Sequence, residues 1–533
     1  MRRKMITGSV AAVALVASVV LAHTARAATF GVTESDGAYI VDTGAGLMFT
    51  VSRTNGDMTS MTYEGRELLS GRASHVQSGF GSDTEVTAEV RGDTIVVTEH
   101  APDFYTDGEI YHYLVVREDQ NNIYMATWVD AHAAGELRWY SSFRGDVLTG
   151  AYEPSDTAGD TVIESADVFR DGGRTSSKYY SNRRAIDQGI RGLTGDGVGV
   201  FMDYGNRESS SGGPFFRDIE QQRTGNNDLY NYLFSGHNQT EGQRTGELYG
   251  PYALMVTDGS TPKARDLSFM YDLNLHDAVG PAGRGWIVGK VSGVDRANAV
   301  VGWSNPAAQY WTRPDASTGN FASPLMKPGS YTQTLYQGEL AVARRSVTVA
   351  AGTGTTGANQ SSTWAEQDTI VRLGEWDGTP AGFKNAAEST SMHPSDSRLQ
   401  PWRSAVTGSQ TASFPAAQWS GINNGTTVTF DLTEEQLTAR TVRIGITAAF
   451  AGGRPQISIN DWTPKKVPAA SAQPKSRSLT IGTYRGNNTL YEYAVPASAL
   501  VAGTNTLTIT VVSGSTGTGY LSPGFSYDAV DLY

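Results

Sequence analysis

The residues best placed to do chemistry here are one histidine and one lysine set among aromatics. The run from Leu229 to Glu241 reads Leu-Tyr-Asn-Tyr-Leu-Phe-Ser-Gly-His-Asn-Gln-Thr-Glu, which puts His237 after a small-residue break and close to Tyr230 and Tyr232. Imidazole can give or take a proton near neutral pH without help. The chain has eight histidines, and His237 has the most site-like setting among them. A second patch, Arg174-Thr-Ser-Ser-Lys-Tyr-Tyr-Ser181, sets Lys178 between small polar residues and tyrosines. A lysine can act as a base only if its pKa falls well below about 10.4, which burial or cations such as Arg174 and Arg183 would promote. Each has an ordinary alternative: a solvated lysine on a strand edge, and a histidine satisfied inside a core.

Two further cations stand in Glu136-Leu-Arg-Trp-Tyr-Ser-Ser-Phe-Arg144. Guanidinium presents a planar fork of donors to a carboxylate, so Arg138 and Arg144 are candidates to hold an acidic ligand, with strand-edge ion pairing as the equal alternative. Between these segments, Ser209-Ser-Ser-Gly-Gly-Pro214 forms a turn-rich loop that could border a cleft. Asn238-Gln-Thr240 is also a glycosylation sequon, but it adjoins the candidate site and carries little weight.

Strands must position these residues. Leu47, Phe49 and Val51 alternate before Asn55-Gly-Asp57, and Val86, Ala88 and Val90 alternate before Gly92-Asp93, as in hairpins. No long stretch has a helical period. With 60 glycines and 25 tyrosines, the chain reads as all-β with many turns. At 533 residues it exceeds one ordinary core, at roughly 150 residues per domain. The expected division is 28–276 as a large antiparallel sandwich, 277–350 as a fibronectin type III-like sandwich, 351–363 as a linker rich in Gly, Thr, Ser and Ala, and 364–533 as a jelly roll.

Residues 1–27 read as a signal peptide: Arg2, Arg3 and Lys4 precede an apolar run, and Ala25-Arg-Ala27 has the small-residue cleavage pattern. A secreted, extracellular protein is therefore expected. Loss of those residues removes four positive charges and takes the formal net charge from −12 to −16. Such a balance argues against nucleic acid, and no later segment could cross a bilayer. The absence of cysteine excludes disulfides, thiolate metal sites and a cysteine nucleophile. Calcium loops, phosphate-cradling glycine loops and the His-Glu-x-x-His zinc signature are missing too. For a β-rich secreted chain, polysaccharide is a natural ligand.

Several ordered motifs resemble the rhamnogalacturonan lyases of polysaccharide lyase family 4. They are Ser177-Lys-Tyr-Tyr-Ser181, Gly212-Gly-Pro-Phe215, Tyr230-x-Tyr232, Ser235-Gly-His-x-Gln-Thr-Glu241, Gly283-Arg-Gly285, Trp376-Asp-Gly-Thr-Pro-x-Gly-Phe-x-Asn385 and Met392-His-Pro-Ser-Asp-Ser-Arg398. The likeness spans essentially the whole mature chain. It implies a galactose-mutarotase-like super-sandwich, a fibronectin type III-like domain and a carbohydrate-binding-module-like jelly roll. It also implies an endolyase of rhamnogalacturonan I in pectin that cuts the rhamnose-(1→4)-galacturonate bond by β-elimination and leaves a 4,5-unsaturated galacturonate. The family's catalytic lysine and histidine fall on Lys178 and His237, and its substrate-contacting tyrosines on Tyr230 and Tyr232. Arg138 and Arg144 lie in a region whose spacing matches less cleanly. Which of Lys178 and His237 is base and which is acid is open in the sequence. The expectation is catalysis without a cofactor, room for a structural calcium ion, and a monomer whose partner is the polysaccharide. A glycoside hydrolase with paired carboxylates and a noncatalytic wall-binding protein are the rival readings.

Overall fold

The computed structural model describes residues 29–533 apart from 106–107, 133–134, 152–156, 158, 165–167, 178–182, 237–238, 240, 388–391, 474–478 and 480–486. The leader expected at 1–27 and the candidate pair Lys178 and His237 thus lie outside the described residues. Nearly all regular structure is β, and the helical elements among the described residues are short turns. No helix among them is long and apolar enough to cross a membrane.

Strand alternation builds the first unit. Leu47–Ser52 buries every second residue and pairs antiparallel with Met58–Tyr63 across the Asn55-Gly56 turn. Glu85–Arg91 pairs with Thr94–Phe104 so that Arg91 faces Thr94, and Gly92 supplies the positive φ of 64° that the two-residue connection needs. Val90 keeps the alternation but is exposed, because this strand is the edge of its sheet. That sheet has eight strands, running from Gly150–Ala151 at one edge through Glu247–Thr257, Asn122–Asp130 and Gly108–Arg117 to Glu85–Arg91. A five-stranded meander from Gly31 to Glu67 and a four-stranded sheet share a core with its inner face, including Phe49, Met61, Leu114, Met125, Trp139 and Leu229. Its outer face is covered as well, by Met270 and Leu275 over Val115, Tyr124 and Met255. Burial on both faces explains why the central strands read as unbroken apolar runs rather than alternations.

The second unit packs the sheet of Trp286–Ser292 and Asn320–Ala322 against Gln309–Thr312, Ala299–Ser304, Gly329–Gln337 and Leu340–Val349. Its core centres on Ile287, Trp303, Tyr331 and Leu335. Within the segment expected as a linker, Gly354–Thr355 and Gln360–Ser361 pair parallel with Trp286–Ser292. The third unit sets one sheet containing Val371–Gly374, Arg440–Phe450, Thr489–Val495 and Gly524–Leu532 against another of Ala405–Thr407, Thr426–Leu432, Arg454–Ile459 and Gly503–Val512. Its last strand is buried throughout, and Arg372 and Arg443 pin it through Asp531 at 2.9 and 2.7 Å.

Polar locks join the units. Arg284 of the Gly283-Arg-Gly285 motif reaches back to Glu208 through two hydrogen bonds of 2.6 and 2.9 Å, and Tyr310 donates to the same carboxylate at 2.7 Å. The arginine fork holds the buried Glu208 carboxyl below its usual range against the opposing effect of burial. Gly378 of the Trp376-Asp-Gly motif donates its N–H to Asp528 at 2.7 Å, and the backbone of Glu339 and Leu340 crowds the place where a Cβ would sit.

Candidate active site

Two paired strands of the four-stranded sheet carry the described site residues. Leu137–Phe143, the arginine strand, lies antiparallel to Asn226–Phe234, the tyrosine strand. The register places Arg138 opposite Tyr232 and Tyr140 opposite Tyr230. Because strand residues two apart share a face, Arg138, Tyr140, Tyr230 and Tyr232 form one patch, while Trp139, Leu229 and Leu233 turn into the core on the other side.

Within the patch, Arg138 Nη1 donates to Tyr232 Oη at 2.9 Å, and the guanidinium carbon lies 5.5 Å from both tyrosine ring centres. Glu136, two residues earlier, pairs with the same guanidinium. Tyr230 Oη donates to Gln222 at 3.2 Å. Both rings are almost wholly buried, at 7% and 3% exposure, so neither offers an open face for stacking. Burial raises both phenols well above their ordinary value, so they stay neutral donors at any working pH. Val168 and Ile219 pack against them.

The sequence reading missed three members of this wall. Tyr140 is two residues from Arg138, and strand periodicity alone could have found it. His75 and Arg72 arrive from a distant segment: His75 pairs in register with Tyr140, their rings 5.6 Å apart, and Arg72 lies close enough to Tyr140 and Asp228 to interact with them electrostatically. Burial lowers the His75 pKa, and Arg138 pushes the same way, so this imidazole is neutral near pH 7. No signal in the sequence joined it to Arg138, because only cross-strand pairing does.

Arg144 lies elsewhere. It follows the end of the arginine strand, six positions and about 20 Å beyond Arg138 at the usual strand rise. Its guanidinium is exposed and meets Asp146 with bonds of 3.0 and 2.6 Å. The structure brings Arg138, Tyr230 and Tyr232 together and leaves Arg144 apart from them. Among the described residues, no group of three or more His, Cys, Asp or Glu side chains is arranged to hold a metal ion.

A small three-stranded sheet flanks the tyrosines: Thr161–Glu164, Val168–Asp171 and Arg174–Ser177. Its last strand ends at the buried Ser177, the residue before Lys178.

Comparison with known families matches this chain in three consecutive parts. Residues 30–277 match the model described as rhamnogalacturonan lyase B, N-terminal; 283–357 match polysaccharide lyase family 4, domain II; and 369–532 match polysaccharide lyase family 4, domain III. The chain belongs to polysaccharide lyase family 4. The three matched parts correspond to the large sandwich, the fibronectin type III-like unit and the carbohydrate-binding-module-like unit of this family 4 lyase. Rhamnogalacturonate lyase A of Aspergillus aculeatus is 46% identical over 520 residues, covering 95% of this chain and 96% of its own. Rhamnogalacturonate lyase A of Emericella nidulans is 43% identical over 532 residues, covering 97% and 99%. Among solved structures, a galactose mutarotase related enzyme from Lactobacillus acidophilus is matched over 43% of this chain and 100% of its own. Its identity is 12% and its TM-score 0.27, too loose a likeness to decide anything.

Proposed function

We propose that this family 4 lyase is a secreted enzyme that cleaves the rhamnose-(1→4)-galacturonate bond of rhamnogalacturonan I by β-elimination, without a catalytic metal. The observation that carries the chemistry is Arg138 held against the two neutral phenols of Tyr230 and Tyr232. The C5 proton of a galacturonate is acidic only when the charge growing on its carboxylate is stabilised. A guanidinium held in fixed orientation against neutral phenols provides that stabilisation. The relatives named as rhamnogalacturonate lyases support the substrate assignment.

In this reading Lys178 takes the C5 proton, the C4–O4 bond breaks as the C4–C5 double bond forms, and His237 protonates the departing O4. Arg138 grips the carboxylate, and Tyr230 and Tyr232 position the ring. Arg144, exposed and past the end of the arginine strand, lies outside this contact set.

The test is ultraviolet absorbance during incubation of purified protein with rhamnogalacturonan, with homogalacturonan and a chelator-treated sample as controls. An absorbance rise on rhamnogalacturonan alone that survives the chelator is expected. Saturated reducing ends without absorbance would instead mean hydrolysis, and binding without shortening would mean a noncatalytic protein. Lys178→Ala and His237→Ala should each lose roughly 10²- to 10⁴-fold of turnover if the two act as base and acid.

A further inference from the structure

The Met392-His-Pro-Ser-Asp-Ser-Arg398 motif has no place in the chemistry above, yet its third-unit loop is bonded to the small sheet beside the tyrosines. Asp396 is fully buried, and its Oδ2 accepts the Thr175 N–H at 2.8 Å and the Thr175 hydroxyl at 3.1 Å. Arg398 holds the same carboxylate through its backbone N–H at 3.0 Å and two guanidinium bonds of 2.8 and 2.7 Å. The His393 N–H donates to Thr175 Oγ1 at 3.2 Å, and His393 Nε2 lies 3.1 Å from Glu164 Oε2. Ser397 N–H donates to the Gly173 carbonyl at 2.9 Å, and Arg170 donates to Ser395.

Each of the three strands and one of their turns is therefore held from the third unit. Among the described residues, these strands pair only with one another and add no ladder to the larger sheets. The middle strand supplies Val168, which packs against Tyr230 and Tyr232. The last strand contains Thr175 and ends one peptide bond before Lys178. A sheet without a ladder to the main scaffold takes its orientation from such side contacts, and a misplacement of about 1 Å at a reacting group can cost about 10²-fold in rate.

We propose that the His393–Arg398 loop is a positioning element of the active site, through which the third unit sets the strand leading into Lys178 and the backing of the tyrosine pair. The third unit is then part of the catalytic body, and Asp396 acts on turnover without touching substrate. This rests on the reading of Lys178 as a catalytic group.

The full chain carrying Asp396→Ala should show kcat on rhamnogalacturonan lowered about 10- to 100-fold with KM changed by less than about threefold. Asp396→Asn, which keeps one acceptor oxygen, should recover most of the loss. Hydrogen exchange in peptides covering 168–177 should speed up in Asp396→Ala while the third unit's core strands keep their protection. If Asp396→Ala does not fold, Ser397→Pro serves instead. It removes one N–H at the first position of a short helical turn, where proline is tolerated, and should lower kcat in the same direction. Unchanged kcat in a folded variant whose 168–177 exchange has risen would overturn the inference. The underlying reading fails separately, by near-normal turnover of Lys178→Ala alone.

Discussion

A guanidinium touching two buried phenols differs in consequence from one on the surface, and the two arginines of the same short segment show it. Arg138 is fixed by Tyr232 and flanked by both rings, so Arg138→Ala should cost about 10²-fold in kcat, the usual scale for removing one preorganised charge-stabilising donor. Arg144→Ala should leave turnover within about threefold, since its exposed pair with Asp146 is the kind that contributes little. Steady-state kinetics of the two variants side by side check both expectations. A second residue-scale expectation concerns His112, which is fully buried, 2.9 Å from the Thr127 hydroxyl and stacked 5.1 Å from Trp139, the neighbour of Arg138. Burial lowers its pKa to about 3, against 6.5 for the free side chain. The unfolded chain therefore takes up a proton below pH 6.5 that the folded one refuses. The stability this neutral histidine contributes is whole above pH 6.5 and is lost as pH falls toward 3, at up to about 1.4 kcal/mol per pH unit. Denaturant melts of wild type and His112→Gln across about pH 4 to 7 should show the shallower dependence in the variant.

At the scale of elements, the site depends on strands that are far apart in the chain. The bond from Arg138 to Tyr232 spans 94 residues, and the Thr175–Asp396 contact spans 221. A spacing of two puts Tyr230 and Tyr232 on one face of any strand that carries them, and Arg138 on one face of its own. It could not say that these faces are neighbours, nor that His75 would lie across from Tyr140. Between units, the doubly hydrogen-bonded Arg284–Glu208 pair is buried on both sides. Glu208→Gln would leave the Arg284 charge without its counterion, and we expect a loss of about 3–5 kcal/mol in stability, read as a lower unfolding midpoint.

For the whole molecule, charge is the property that matters most to a polyanionic substrate. The chain carries a formal net charge of −12, so its overall field repels galacturonate chains. Screening weakens that long-range repulsion sooner than it weakens direct contacts between side chains and substrate. Raising ionic strength from about 0.01 to 0.15 M shortens the Debye length from about 30 to 8 Å, and kcat/KM on rhamnogalacturonan should rise over that range. A fall would mean that local cations, Arg138 and Arg72 among them, dominate the encounter.

The sequence by itself determined that the chain is built of strands, because period-2 alternation and turn residues such as Gly92 act within a few residues of where they stand. It also determined which side chains share a strand face, and its ordered motifs pointed to the family that the comparisons then showed. Tertiary structure alone decided which faces meet. It separated Arg144 from Arg138 by ending a strand between them, brought His75 and Arg72 to Tyr140, and laid the His393–Arg398 loop on the sheet that leads to Lys178. The reason is the same in each case. Alternation is local, whereas strand pairing and side-chain locks join segments whose separation along the chain leaves no trace in the spacing of either one.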